Sequence, residues 1–352
     1  MTGIRSVPVI RHLVLWLTTA CNLSCAYCYR GRPVRTQSMS PSTALAALEL
    51  AALSGQPFHV QMAGGEPTLE PGLIETVAKQ VRRRGWPASL AVQTNGVAVN
   101  RELAALFKRW GIGVGVSLDG PPVVQERLRG RAAEVWQGLD ELSRAGVDFG
   151  VTAVVCADNL AELPRLALLL GRWPHARGLG LDLLVRRGSA LGGGPAMAEP
   201  AALKRTMREL ATAVAWVNQR RAAPLVLREH KRLQNLLHPF CQAALGASLA
   251  VHPDGRLYPC GQTMGDEELC LGSLAKPDFS RAAGLAVYSL ADGDCAGCPL
   301  EGRCPGECPS RLKYNGPQGR ALACALLQGL ATARDGAGAQ TNGRKEQDHA
   351  AA

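Results

Sequence analysis

At 352 residues, with twelve cysteines and a formal charge of +10, the chain is long enough for one large domain and a smaller one. No uninterrupted apolar run approaches the ~20 residues of a membrane span, Arg5 and Arg11 interrupt the N-terminus where a signal peptide needs an apolar core, and no block interleaves aromatic and basic residues as a nucleic-acid surface would. The cysteines therefore read as metal ligands in a reduced, cytoplasmic setting rather than as a secreted disulfide framework, with neither membrane nor nucleic acid as partner.

Strand-like and helix-like segments alternate from residue 12 to about residue 220. The expected strands are His12–Thr18, Phe58–Met62, Ser89–Gln93, Gly113–Leu118, Asp148–Val155 and Leu179–Val185. Ser40 followed by Pro41 reads as an N-cap with proline at the first helical position, opening an alanine-rich helix that ends near Gly55. Further helices are expected near 70–85, 100–110, 132–146, 160–172 and 200–222. Repeated β–α units with apolar strands imply an α/β fold, a parallel sheet covered by helices. On physical grounds six units, or a full barrel with a unit undetected, both remain open. The segment GSALGGGP from Gly188 marks a flexible loop at the mouth of such a barrel. From His238 to Cys324 strong periodicity gives way to glycines, prolines and eight cysteines, a region with too few apolar side chains to fold without metal. The expected division is 1–235, 236–330 and a disordered tail over 331–352.

The chemistry sits directly behind the strands. After the first comes Cys21-Asn-Leu-Ser-Cys25-Ala-Tyr-Cys28, three thiolates that can hold a 4Fe–4S cluster while leaving one iron without a protein ligand, the mark of a reaction centre. A structural zinc site wants four ligands, often as Cys-x2–4-Cys pairs, which this loop does not supply. After the second strand comes Gly64-Gly65-Glu66-Pro67, where paired glycines allow close backbone approach and Glu66 offers a carboxylate to an ammonium group. Thr94 and Asn95 follow the third strand, Ser117 and Asp119 the fourth, and Arg129 lies in Leu128-Arg129-Gly130. One end of a parallel barrel thus collects every candidate group, the end that carries chemistry in such folds. Neither GxGxxG nor a Walker A run is present. Cys156, in the apolar run VTAVVC, reads as a small buried hydrophobe.

CNLSCAYC resembles the cluster loop of radical S-adenosylmethionine (SAM) enzymes. That resemblance implies a partial (β/α)6 TIM-like barrel, SAM on the open iron and a 5′-deoxyadenosyl radical as the working species. It puts Tyr27 beside the adenine, the Gly64–Glu66 motif at the methionine amino group, Ser117, Asp119, Thr94 and Asn95 in the ribose and methionine layer, and Arg129 at the methionine carboxylate. The downstream cysteines, Cys241-x13-Gly255-x4-Cys260, then Cys295-x2-Cys298-x5-Cys304-x3-Cys308 and finally Cys324, resemble a SPASM domain holding two auxiliary 4Fe–4S clusters, three clusters in all. Cys295, Cys298, Cys304 and Cys324 would then hold the outer cluster and Cys241, Cys260 and Cys308 the inner one, with Cys270 as its candidate fourth ligand. Zinc in the same thiolates is the structural alternative.

Radical SAM–SPASM enzymes modify peptides and proteins by net oxidation, and two readings follow. One is a maturase that crosslinks a ribosomally made precursor peptide through a C–C, ether or thioether bond. The other is an anaerobic sulfatase maturase converting Cys or Ser to formylglycine. The second typically carries an aspartate directly after the cysteine of YPC as its base. Here Tyr258-Pro259-Cys260 is followed by Gly261, which favours the first. Asp254, Asp266 or Glu267, a residue of a barrel loop, or Asp182 on the sixth strand are the alternatives for that base. A precursor peptide, a separate leader-recognition protein and an electron donor such as flavodoxin or ferredoxin are the implied partners. An inert iron–sulfur scaffold is the non-enzymatic alternative, and it has no use for the Gly64–Glu66 and Ser117–Asp119 motifs.

Overall fold

Alternate residues of the parallel strands are apolar and buried, and this period of two builds the sheet. The computed structural model describes residues 8–31, 35–234, 241–289 and 295–347. In chain order the barrel elements are β1 (His12–Thr18), α1 (Pro41–Ala52), β2 (Phe58–Gly64), α2 (Pro71–Arg84), β3 (Ala88–Thr94), α3 (Arg101–Trp110), β4 (Gly113–Ser117), α4 (Pro122–Leu128), α5 (Ala132–Arg144), β5 (Phe149–Val155), α6 (Leu163–Leu170), β6 (Ala176–Leu183) and α7 (Pro200–Asn218). β1 to β6 lie side by side in sequence order and all pair in parallel, the (β/α)6 arrangement the sequence implies. Phe58, Val60 and Met62, Leu90 and Val92, Val114 and Val116, and Leu179, Leu181 and Leu183 point into one core beneath the helices. The other face of β3 to β6 is polar, with Gln93, Ser117, Thr152 and Asp182 turned into a cavity.

Local signals set the helix ends. Ser40 Oγ accepts from the Thr43 amide at 3.0 Å, the expected N-cap, and Asn100 caps α3 through Leu103 at 2.9 Å. Gly85 and Gly111 end α2 and α3 in the left-handed conformation.

The C-terminal region enlarges this sheet at both ends. The short strand β7 (Val226–Leu227) pairs with β6 and leads into α8 (Arg228–Gln234). β8 (Ser248–Val251) pairs in parallel with β1, Leu13 opposite Leu249 and Leu15 opposite Val251, and β9 (Leu257–Tyr258) folds back on β8. Val14 and Trp16 consequently pack with Ala250, Tyr258 and Met264 on the face of β1 turned away from the main core. The final helix α9 (Pro309–Gln347) bends at Gly316, whose φ of 57° and ψ of −143° leave the helical region directly before Pro317. Leu322, Leu326, Leu327 and Leu330 of α9 join the barrel core, as do Leu249, Leu257, Leu271 and Leu300. Part of this region's apolar surface thus shares the barrel's core, while Ala243, Leu269 and Leu285 form a small cluster of their own.

The expected strands agree with β1 to β6 to within about three residues. The helices α4, α8 and α9 and the β8–β9 hairpin were not anticipated. The expected boundary at 235/236 falls outside the described residues, and residues 331–347, read from composition as a tail without structure, continue α9.

The α7–α9 contact is close enough to be tested. A Cβ on Gly329 would lie 2.5 Å from the Lys204 carbonyl oxygen and 2.7 Å from Met207 Cβ. Glycine to alanine normally stabilises a helix by up to about 1 kcal/mol. At this crossing Gly329→Ala is expected to destabilise by about 1–3 kcal/mol, read from urea denaturation; a stabilised variant would contradict the packing.

Candidate active site

The cysteine loop leaves β1 and runs between two backbone walls. On one side the Gly65 amide donates to Thr18 O at 2.7 Å and the Glu66 amide to Ala20 O at 2.8 Å. A Cβ on Gly65 would sit 1.9 Å from Ala20 O, and one on Gly64, whose φ is +140°, 2.4 Å from Thr18 O. The paired glycines were expected to admit a ligand; they first admit the loop that carries the cysteines. Ala26 N donates to Leu128 O at 2.9 Å, Cys28 N to Cys25 O at 3.2 Å and Gly31 N to Cys28 O at 3.0 Å, so the turn between the thiols is fixed by its backbone.

Cys21, Cys25 and Cys28 open on a cavity of about 530 Å³ together with Tyr27, Gly64, Gly65, Glu66, Thr94, Asn95, Ser117 and Arg129. All but one of the sequence-selected cofactor residues therefore meet at one place. Burial pushes the Cys21 and Cys25 thiols up; Cys28 adds to both and Cys21 to Cys25, while Arg129 pulls Cys25 back down. Crowded thiols of this kind suit a cationic iron core, which holds them as thiolates.

Asp119 is the exception. It has no exposed surface and does not line the cavity. Its Oδ2 accepts from Arg129 Nε at 2.8 Å and from the Tyr27 hydroxyl, and its Oδ1 accepts from Arg129 Nη2 at 3.3 Å and the Val154 amide at 2.9 Å. Tyr27 lies beneath the guanidinium, 5.3 Å from ring centre to Cζ. Asp119 thus stands behind Arg129, and Arg129 faces the cavity. The burial of Asp119 beneath Tyr27 and Arg129 is not legible in the local sequence.

Glu66 is almost as enclosed, 1% exposed, yet lines the cavity. One oxygen accepts from Thr94 Oγ1 at 2.7 Å and from the amide and hydroxyl of Thr68; the other accepts from the Asn95 amide at 2.7 Å. Burial pushes this carboxyl up and these donors pull against it. Thr94 and Asn95 accordingly orient Glu66, and the Asn95 carboxamide also donates to Asn22 Oδ1 at 2.7 Å, tying it to the cysteine loop. Ser117 accepts from Gln93 Nε2 at 3.1 Å.

The cavity's far wall holds residues that sequence reasoning passed over or only touched. Asp182 Oδ1 accepts from Arg228 Nη2 at 2.8 Å and from Arg311 Nη1 at 3.2 Å. Burial pushes the Asp182 carboxyl up, but the two guanidiniums outweigh it and hold it down to about 2. Tyr29, Arg228 and Gln262 also line the cavity, and nothing in their local sequence distinguishes them. The other acids considered as bases lie elsewhere. Asp254 pairs with His252 and Arg256, Glu267 with Arg256, and Asp266 accepts from Tyr314 Oη at 2.7 Å.

The remaining cysteines fall into two neighbourhoods. Cys260 is pushed up to about 12 by burial and then by the charges of Cys308 and Cys241. Burial likewise raises Cys304, with Cys295, Cys324 and Cys298 adding to it. The resemblance to a SPASM domain implies the same grouping for an inner and an outer cluster. Cys270 has other apolar neighbours. It packs by Val14, Trp16 and Tyr258 with its thiol 3.7 Å from Gly272 O, whereas Cys241 and Cys260 pack by Ala243, Leu269 and Leu285. Cys156 is fully buried beside Val124, Leu128 and Leu184, the apolar role expected of it. Among the described residues no three His, Cys, Asp or Glu side chains converge as ligands of one metal ion, and no helix is long and apolar enough to cross a membrane.

Residues 17–170 match the radical SAM superfamily. The chain is 28% identical over 349 residues to a serine-type anaerobic sulfatase-maturating enzyme of Klebsiella aerogenes, covering 88% of this chain and 82% of that one. It is 31% identical over 162 residues to mycofactocin maturase MftC of Mycobacterium ulcerans, 45% of this chain and 43% of that protein. It spans only 57% of uncharacterized protein MJ0907 of Methanocaldococcus jannaschii, to which it is 30% identical over 164 residues, and 40% of the Fe-coproporphyrin III synthase of Methanosarcina barkeri. Among solved structures, anSMEcpe with bound AdoMet superposes with a TM-score of 0.74 at 17% identity, covering 92% of this chain and 96% of that one. Streptococcus suis SuiB bound to precursor peptide SuiA gives 0.65 at 14% identity, covering 90% and 76%. At these identities the two structures share the fold.

Because Asp119 is fully buried and the Arg129 side chain only 10% exposed, breaking the pair should cost more than deleting it. Asp119→Asn is expected to destabilise by about 3–5 kcal/mol, and the double variant Asp119→Asn/Arg129→Met by less, in chemical denaturation. A double variant worse than the single one would show that the pair is not the source of the effect.

Proposed function

We propose, from the premise that the chain is a radical SAM enzyme, that it is a peptide maturase which takes hydrogen from a residue of a ribosomally made precursor and closes an oxidative intrapeptide crosslink. Cys21, Cys25 and Cys28 would hold the cluster, Glu66 the methionine ammonium and Arg129 its carboxylate. With SAM bound, the cluster supplies a 5′-deoxyadenosyl radical able to take hydrogen from unactivated carbon. The chain's own part is placement and exclusion of water. Gly64 and Gly65 let the cysteine loop close on β2, Tyr27 and Arg129 wall the cofactor end, and Gln93, Ser117 and Thr152 floor the space between it and Asp182. Cys241, Cys260 and Cys308 would hold an inner cluster and Cys295, Cys298, Cys304 and Cys324 an outer one, a route for the electron that oxidation releases. Cys270 is set aside as fourth ligand, because it packs with a different group of side chains.

The observation carrying the crosslinking reading is the set of acids at the cavity. They are Glu66, committed to Thr68, Thr94 and Asn95, and Asp182, held near 2 by two arginines. A proton acceptor with so low a pKa is a poor base at neutral pH. Gly261, where the sulfatase maturases place an aspartate, supplies none. Peptides are held by the related folds: one anSMEcpe structure contains the Kp18Cys peptide and one SuiB structure contains SuiA. Formylglycine formation is the second reading, favoured by the similarity to the Klebsiella enzyme along 88% of this chain. A leader-recognition protein and a flavodoxin or ferredoxin as electron donor complete the proposal, which places the reaction in the cytoplasm.

Tandem mass spectrometry of small peptides encoded beside the gene, each co-expressed anaerobically with the enzyme or its Cys25→Ala variant, separates the readings. The expected product has lost a pair of hydrogens and shows no fragments between two linked residues, only with intact enzyme. Unchanged peptides together with formylglycine in a co-expressed sulfatase would establish the alternative.

A further inference from the structure

The loop from β6 to α7 touches both cysteine neighbourhoods that face the cavity. Gly188, at φ +59°, lies flat against the first cysteine loop: a Cβ there would sit 2.4 Å from Cys28 O, 2.5 Å from Gly31 N and 2.7 Å from Tyr29 O. The Ser189 amide donates to Cys28 O at 2.9 Å. One residue earlier, Arg187 points the other way. Its guanidinium donates to Gln262 O at 2.6 Å and to Met264 O at 3.0 Å, two carbonyls of the turn that follows Cys260. It also covers the ring of Tyr314 at 5.1 Å. Asn315, next on α9, fixes the base of the same loop with both ends of its carboxamide, accepting from Arg186 N at 2.9 Å and donating to Leu184 O at 2.7 Å.

A guanidinium spanning two carbonyls is a rigid fork that lysine cannot reproduce. A glycine in contact with three backbone atoms leaves no slack on the other side. Arg187 and Gly188 therefore form a strut, a few atoms long, between the Cys260 turn and residues 28–31. Tyr29 lies in the gap it spans, feeling the charges of both Cys28 and Cys260.

We propose that Arg187 is a positioning residue that couples the two sites: order in the Cys260 turn, imposed by the group bound there, is transmitted through Arg187 and Gly188 to the first cysteine loop and so to SAM binding. The proposal rests on the reading of Cys260 as a cluster ligand. Such coupling between sites is a free energy that must appear in the affinity of either ligand.

A double-variant cycle with SAM as probe tests it. Wild type, Cys260→Ala, Arg187→Ala and the double variant are reconstituted anaerobically, assayed for iron, and titrated with SAM by equilibrium dialysis. With Arg187 present, Cys260→Ala is expected to weaken SAM binding about 5-fold or more. With Arg187→Ala in place the same change is expected to matter about 2-fold or less. Losses that simply multiply would overturn the coupling while leaving the cluster assignment intact. Unchanged iron in Cys260→Ala would instead overturn that assignment, and the coupling with it. Should Cys260→Ala fail to fold, hydrogen exchange on the otherwise intact chain decides. In Arg187→Ala the amides of Gly31 and Ser189 are expected to exchange about 10-fold faster, with those of β4 unchanged; equal rates in the two proteins would overturn the strut.

Discussion

The whole site depends on backbone meeting backbone with no side chain between. The cysteine loop is gripped at its start by Gly64 and Gly65 and at its end by Gly188, where a single added carbon would fall between 1.9 and 2.7 Å from a main-chain atom. Real Cβ atoms essentially never approach so closely, so these positions admit only glycine as the chain now runs. Three thiols half open to a cavity gain their fixed spacing from this grip, not from packing of their own side chains. The turn can then present sulfur outward while its carbonyls and amides stay paired.

Charge follows the same economy of placement. Each carboxylate near the cofactor end is held by donors before any ligand arrives: Glu66 by Thr68, Thr94 and Asn95, Asp119 by Arg129 and Tyr27. On the far wall Asp182 is balanced by Arg228 and Arg311, and Arg311 is shared with Glu307, the neighbour of Cys308. Buried charges with fixed partners need no reorganisation when a polar ligand enters, which is what preorganised electrostatics requires. The same pairing removes Asp182 from the list of easy proton acceptors.

The barrel was legible because its strands are short apolar runs separated by glycine, proline and capping residues, signals that act within a few positions of each other. The cysteine loop, Glu66, Thr94, Asn95 and Ser117 were legible because each ends a strand or follows one directly, whereas Arg129, which caps α4, was reached only through the Leu128-Arg129-Gly130 motif. Asp119 stands one layer behind the cavity wall, beneath Tyr27 and Arg129, and nothing local in the sequence tells a lining residue from the one that supports it. Cys270 is the nearest spare cysteine along the sequence, and its packing by Val14, Trp16 and Tyr258 is a feature that sequence proximity does not carry. Arg187, Arg228 and Gln262 became visible only in three dimensions, because their partners lie roughly 45 to 130 residues away. The long helix α9 carries Gly316 and Pro317 inside it, residues that interrupt a helical pattern in sequence, and the helix bends there and resumes.

The pairing of β1 with β8 has a consequence for how the protein is made. His12 lies opposite Ser248, so β1 leaves the ribosome about 236 residues ahead of the strand that completes its pairing. At about 5–20 residues per second the wait is roughly 12 to 50 s, during which β1 offers a bare, apolar edge. A helical bundle of this length would have closed its local contacts long before. The nascent barrel therefore spends most of its synthesis with its oldest strand as its least protected one, and that strand leads straight into the loop that bears Cys21, Cys25 and Cys28.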